Sequence, residues 1–455
     1  MNITTKITYP ILVALTVLGI APTSAQKSSP SSKTSAPKNV IIMIGDGMGL
    51  NQVALGRILA GDPGTPLSFE KLPIRGYLST HSSSHIVTDS AASATALATG
   101  QKVPNHVIAI TGEGKPIRNL FEAAHDRGLR TGIVTNTRLT HATPAAFSAH
   151  VVHRSQEKSI AAQMTRNKSH VLLGGGGRVF SAEMRKEYVQ AGYDLVTDPK
   201  SLAKSRKSRI IGLFHSSHMS FEQDRNPETE PSLADMTAKA LKALSIRNPG
   251  FLLLVEGGRI DHGGHAHDGC AIAHQTIAFA KAVEVAVSFA RKNKNTLIFI
   301  TADHPTGGLA ISESVDPKMI RSVPHSSEWI SKKIKSGADL ASAWKEGTGL
   351  DPLNESERAT IENPNLKLRM NTKIGHVLSA RAGLHFYPLE VQATHYNTSG
   401  HDGLFVPYYA YGTRATSLIG MMDQTDVPKR IARLLGLNLH SSSKSKKKST
   451  ANGKK

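Results

Sequence analysis

Short apolar runs that break off abruptly into Gly, Asp, Glu or His constrain this chain more than any other feature. Val40-Ile41-Ile42-Met43-Ile44 runs into Gly45-Asp46-Gly47-Met48-Gly49. Thr131-Gly132-Ile133-Val134-Thr135 precedes Thr140-His141-Ala142-Thr143. Phe251-Leu252-Leu253-Leu254-Val255 stops at Glu256-Gly257-Gly258, and Thr296-Leu297-Ile298-Phe299-Ile300 at Thr301-Ala302-Asp303-His304. Runs without polar alternation belong to strands buried on both faces. Helical patterns separate them, as at Ile117 to Arg127 and Leu233 to Ser245. Strand and helix alternating in this way predict an α/β fold with a doubly wound, mostly parallel sheet. Such sheets bind ligands beyond the carboxyl ends of their strands. Every polar cluster just named falls there.

Other stretches read differently. Residues 310–392 are charged, helical in pattern and poor in strand signal, for example at Ser326 to Ser336 and Asp339 to Lys345, and read as an insertion. Gly174-Gly175-Gly176-Gly177 after His170-Val171-Leu172-Leu173 predicts a sharp turn, because the Lys-Ser/Thr of a phosphate-cradling loop does not follow. At the N-terminus Lys6 precedes the apolar run Ile11 to Ala21, followed by Thr23-Ser24-Ala25. This is the pattern of an export signal cut after Ala25, and no other stretch reads as long enough to span a membrane. Export would place the protein in a periplasm or outside the cell. Cys270 is the single cysteine, so an internal disulfide is excluded.

Lys and Arg number 55 against 35 Asp and Glu, and part of the excess sits in Lys444 to Lys448 and Lys454-Lys455. That tail reads as solvated, or as a contact for polyanions or the cell envelope. No helix-turn-helix, finger or aromatic-basic pattern accompanies the charge, so specific nucleic-acid binding is not expected.

The polar clusters carry donor sets suited to cations. Asp46 after a buried strand needs a cation or hydrogen bonds to offset its burial, and Asp303-His304 repeats the arrangement. Asp261 and His265 are four apart, the spacing of one helical face. His401 lies in Ser399-Gly400-His401-Asp402-Gly403. Carboxylate and imidazole donors without thiolate suit open zinc sites, and Asp46, Thr143 and Glu256 offer the oxygen ligands magnesium prefers. Val87-Thr88-Asp89-Ser90-Ala91-Ala92-Ser93-Ala94-Thr95-Ala96 puts a hydroxyl and an acid at the start of a small-residue helix. Alone it reads first as an N-cap, capping being far commoner, and only second as an uncrowded nucleophile at a positive helix end.

Taken in order, these motifs resemble the alkaline phosphatase family. The match joins Gly45 to Gly49, Val87 to Ala96, Ala142-Thr143-Pro144-Ala145-Ala146 with His150 and Arg154, Val255 to His262, Thr301 to His304, and His401. The resemblance implies a phosphate monoester hydrolase with Ser90 as the nucleophile that forms a phosphoserine. It implies one zinc on Asp46, Asp303 and His304 and a second on Asp261, His265 and His401, with magnesium on Asp46, Thr143 and Glu256. Arg154 would grip phosphate oxygens and Asp89 would orient Arg154, while Thr88, Ser93 and Thr95 would serve helix and packing. A homodimer is implied as well.

The implied organisation is a signal over 1–25, a flexible linker over 26–39, a catalytic domain over 40–438 containing the 310–392 insertion, and a Lys/Ser-rich tail over 439–455. His141 and His262, flanking the metal ligands, stand where some members have Asp and Lys. A nitrogen donor there would favour zinc or another transition metal in the third site. His401 departs from the commoner His-Thr-Gly context, and His395 is its rival as ligand. Phosphodiester cleavage is the competing enzymatic reading, against which Arg154 argues; a basic adhesive protein is the non-enzymatic one.

Overall fold

The computed structural model describes residues 35–167, 169–394 and 397–440. The expected signal, most of the linker, the tail from residue 441 onward and the rival ligand His395 lie outside the described residues. Twelve strands occur among them: β1 (Asn39–Ile44), β2 (Ile74–Ser79), β3 (Arg130–Arg138), β4 (Val171–Gly175), β5 (Asp194–Val196), β6 (Ile210–Leu213), β7 (Phe251–Glu256), β8 (Thr296–Thr301), β9 (Ala310–Ile311), β10 (Leu384–His385), β11 (Val406–Gly412) and β12 (Met422–Asp423). Ten form one sheet in the order β12-β2-β11-β8-β1-β7-β3-β4-β6-β5.

The apolar runs become the middle of this sheet. β1, β7 and β8 are buried at every position, each large aliphatic side chain contributing about 1.5–3 kcal/mol by leaving water. β1 pairs in parallel with β7 and β8, and Ile44 is level with both Glu256 and Thr301. β3 continues the parallel set, with Thr135 level with Glu256. The polar segments that follow these strands therefore leave the sheet side by side. β11 is antiparallel to β8, with Tyr408 opposite Thr301. Its beginning rather than its end lies at the ligand edge, so His401, which precedes it, reaches the same place.

Two differences from the sequence reading have plain causes. Gly174 and Gly175 complete β4, and the chain turns only at Gly176, where φ is +95°. A Cβ at Gly175 would lie 2.2 Å from the Ser217 carbonyl oxygen, so the run is glycine for close approach as well as for turning. Helix Gly269–Lys292 is long and apolar enough to cross a membrane by length and composition, which corrects the expectation that no stretch beyond the N-terminal run is. It packs against helices Leu50–Ala60 and Leu233–Leu244 with Ile272, Phe279 and Val283 fully buried; it is a core helix. The segment after β8 carries helices Pro317–Ser322, Ser327–Lys335, Leu340–Thr348, Glu355–Glu362 and Met370–Arg381. They surround their own apolar cluster at Trp344, Ile330, Ile361 and Leu378, and the two-stranded pairing of β9 with β10 closes its neck.

Candidate active site

A cavity of about 870 Å³ opens over the carboxyl edge of the sheet, lined among others by Ser90, Arg154, Asp261, His265 and His401. Ser90 opens helix Ser90–Thr99, and Asp89 is its N-cap, accepting from the Ala92 N–H at 3.0 Å. The cap is therefore Asp89, and the Ser90 hydroxyl belongs to the first helical residue. Ser90 Oγ lies 3.3 Å from His304 Nε2. All ten helix residues are buried, and their small side chains let the helix come close to the sheet edge.

Three groups of side chains that could hold cations lie near the Ser90 hydroxyl, two of them containing His304. Ligand atoms of Asp46, Asp303 and His304 lie within 4.8 Å of one another, as do those of Asp261, His304 and His401, and those of Asp46, His141 and Glu256. His304 Nε2 is 3.2 Å from Asp303 Oδ2 and 3.6 Å from Asp46 Oδ1. His265 Nε2 is 3.2 Å from Asp261 Oδ2, and His401 Nε2 is 3.5 Å from Asp261 Oδ1.

Hydrogen bonding sets which nitrogens remain available. His401 Nδ1 donates to the Thr88 carbonyl at 2.9 Å, and His265 Nδ1 donates to the Ser399 carbonyl at 2.9 Å. In a neutral ring so bonded the lone pair is on Nε2, and the two Nε2 atoms are 3.2 Å apart. Two lone pairs facing each other beside a carboxylate repel unless a cation lies between them.

The other two groups behave likewise. Both Asp46 oxygens, Glu256 Oε1, Thr143 Oγ1 and His141 Nδ1 are buried with no hydrogen-bond partner, a costly arrangement unless something else satisfies them. Burial, together with the Asp303 and Asp261 charges, pushes the Asp46 carboxyl well above its ordinary range. Burial likewise pushes Glu256 up to about 7. His401 is held well below its ordinary value by burial and by His304, so it is a neutral donor. The donors present therefore fit divalent cations: nitrogen and carboxylate in two groups, mostly oxygen with one nitrogen in the third.

Arg154 lines the same cavity beside the third group. Its Nη1 donates to Asp89 Oδ2 at 2.9 Å and its Nη2 is 3.1 Å from His141 Nε2. Burial alone would raise the Asp89 carboxyl, but the His106 hydrogen bond and the Arg154 charge hold it well below the usual range. Three guanidinium N–H groups remain for an oxyanion. His141 is thus brought into the third ligand group and against Arg154 at once. His262 stands farther back, edge-on to His141 with ring centroids 5.5 Å apart and with Nδ1 2.8 Å from Arg259 Nη1.

Several residues of this site escaped sequence reasoning. Thr306 accepts from His304 Nδ1 at 3.2 Å and donates to Asp261 Oδ1 at 2.6 Å, joining two ligand groups through one hydroxyl. Its place two residues after His304 was the available signal. Thr137 donates to Glu256 Oε2 at 3.0 Å, and Thr135 bonds the same oxygen. His218 packs edge-on against His262 at 4.3 Å and contacts Arg138, with no motif around it. Ser93, expected only to pack, donates to the Asp303 carbonyl at 3.0 Å, as does Gln424 Nε2 at 2.7 Å.

Taken over most of its length, the chain is similar to known proteins. Residues 37–437 match the family model described as alkaline phosphatase. The chain is 33% identical to alkaline phosphatase 3 of Bacillus subtilis (strain 168), covering 92% of this chain and 94% of that one. Among solved structures, the cold-active alkaline phosphatase of the psychrophile Shewanella sp. is 31% identical with a TM-score of 0.78, covering 87% and 99% of the two chains. The Thermus thermophilus alkaline phosphatase is 26% identical with a TM-score of 0.81, covering 89% and 92%. By these similarities the chain belongs to the alkaline phosphatase family and is a phosphomonoester hydrolase of that metal-dependent class.

Proposed function

We propose that this chain is an exported, homodimeric alkaline phosphatase that releases inorganic phosphate from monoesters through a phosphoserine on Ser90. The observation that carries the reading is Ser90 Oγ, 3.3 Å from His304 Nε2 at a helix N-terminus and bordered by the ligand groups. Asp46, Asp303 and His304 would hold one zinc ion, Asp261, His265 and His401 the other, and Asp46, Thr143 and Glu256, with His141 adjoining, magnesium or another divalent ion. When bound, the paired ions lower the pKa of the attacking oxygen and offset charge on the leaving one.

The chain's own groups account for the rest. Ser90 Oγ attacks phosphorus in line and the bond to the alkoxy oxygen breaks, the alcohol departing with a proton. Water then attacks the phosphoserine, its P–Oγ bond breaks, and Ser90 regains a proton as phosphate leaves. Arg154, held by Asp89 and His141, faces two nonbridging oxygens with a planar fork that Lys cannot reproduce. The N–H groups of the helix beginning at Ser90 favour the same dianion. Export rests on the apolar run Ile11 to Ala21 with Thr23-Ser24-Ala25.

The test is metal analysis of the purified protein beside turnover of an aryl phosphate monoester and the matching diester. The reading expects about two zinc equivalents and one further divalent ion, with strong monoester preference. A diester preference, or full activity after exhaustive chelation, contradicts it.

A further inference from the structure

His106 takes no part in the chemistry above, yet it is tied to the Asp89–Arg154 pair at three points. Its backbone N–H donates to Asp89 Oδ1 at 3.0 Å, and its carbonyl accepts from the Arg154 N–H at 2.8 Å. Its ring Nδ1 lies 3.3 Å from Asp89 Oδ2, the oxygen that Arg154 Nη1 also contacts. The other ring nitrogen, Nε2, faces Asn397 Oδ1.

Both ring nitrogens therefore meet oxygen acceptors, which is the setting of an imidazolium. The Asp89 hydrogen bond raises the His106 pKa while burial works against it. The residue also holds φ at +72°, a left-handed conformation that a residue with a Cβ adopts only when its surroundings hold it there. The ring lines the same cavity as Ser90 and Arg154.

We propose that His106 is a positioning residue for phosphate, sharing Asp89 with Arg154 so that the guanidinium charge stays available to the bound oxyanion. Paired with Arg154 alone, a fixed carboxylate cancels much of the field that draws phosphate in. A second cation on the same oxygen offsets Asp89 and restores that field. The groups facing the ring are Asp89 on the helix cap, Arg154 and His153 before helix Glu157–Asn167, and Asn397, whose Nδ2 donates to His85 Nε2 at 3.0 Å. Of these only Asp89 is an anion, so loss of the His106 proton changes the charge balance directly. The inference rests on the assignment of Arg154 to phosphate made above.

The experiment uses the metal-loaded enzyme with His106→Asn and His106→Gly, two replacements that tolerate positive φ. The competitive inhibition constant of inorganic phosphate is measured from about pH 6 to about pH 10, with Arg154→Ala in parallel. Both His106 variants should bind phosphate roughly three- to tenfold more weakly at the acid end. Their ratio to wild type should fall toward one as the pH rises. An unchanged constant at every pH overturns the proposal, as does a pH-independent ratio, which a merely structural loop contact would give. If Arg154→Ala also leaves phosphate inhibition unchanged, the site assignment itself fails; if only the His106 variants are silent, only this inference does.

Discussion

Glu256 offers a stability test that isolates one buried carboxyl. Its side chain is fully buried, with one oxygen bonded to Thr135 and Thr137 and the other without a hydrogen-bond partner. Burial, the largest influence, pushes its pKa from 4.5 to about 7. A group whose folded pKa is raised adds stability below its unfolded pKa and loses it as pH rises through the folded value. At ~1.4 kcal/mol per pH unit, ionising Glu256 in protein stripped of divalent ions costs about 3 kcal/mol between pH ~4.5 and pH ~7. The buried histidines with lowered pKa values, His141, His262 and His401 among them, act in the opposite direction below neutral pH. Comparing wild type with Glu256→Gln cancels their contribution. Urea unfolding of both chelated proteins from pH ~4 to pH ~8 should show the Gln variant gaining on wild type by about 3 kcal/mol. With zinc and magnesium restored the order should reverse, since the ionised carboxylate then has its cation. A difference that stays constant across pH in the chelated proteins refutes the reasoning.

Three further outcomes are expected. Arg154→Ala removes two charge-assisted donors from phosphate, about 3 kcal/mol, and should raise the phosphate inhibition constant roughly a hundredfold; an unchanged constant counts against its role. Thr306→Val breaks the hydroxyl link between His304 and Asp261 and should weaken zinc binding about 10- to 100-fold in a competition titration with a chelating dye. Equal affinity for both proteins would show that the link does not matter. Gly175→Ala places a Cβ 2.2 Å from the Ser217 carbonyl oxygen and should destabilise the fold by at least about 2 kcal/mol in urea unfolding; a neutral effect would mean that this loop yields freely.

What the sequence made legible was whatever local chemistry announces. A buried strand has to be apolar, and a carboxylate immediately after it needs a reason, so Asp46, Glu256 and Asp303-His304 could be read with the strands that carry them. Asp261 and His265 were legible through helical spacing. The parallel register that sets Ile44 level with both Glu256 and Thr301 explains why those separate strand ends become one site. Hidden were residues whose role depends on partners distant in the chain. Ser93 and Gln424 meet across 331 positions, and His218 joins the His141 and His262 rings only through the folding of β4 and β6 beside β3. The antiparallel entry of β11, which brings His401 beside Asp261, likewise leaves no trace in periodicity. Helix Gly269–Lys292 shows the converse, since its composition fits a membrane span and only its packing reveals a core helix.

The central claim is that one hydroxyl in a run rich in Ser and Thr carries the phosphoryl group. Incubation of the metal-loaded enzyme with radiolabelled phosphate, acid quenching and peptide mapping tests it directly. The account predicts label on Ser90 in wild type and none in Ser90→Ala. Label on Ser93, Thr88 or any other residue, or label persisting in Ser90→Ala, contradicts it.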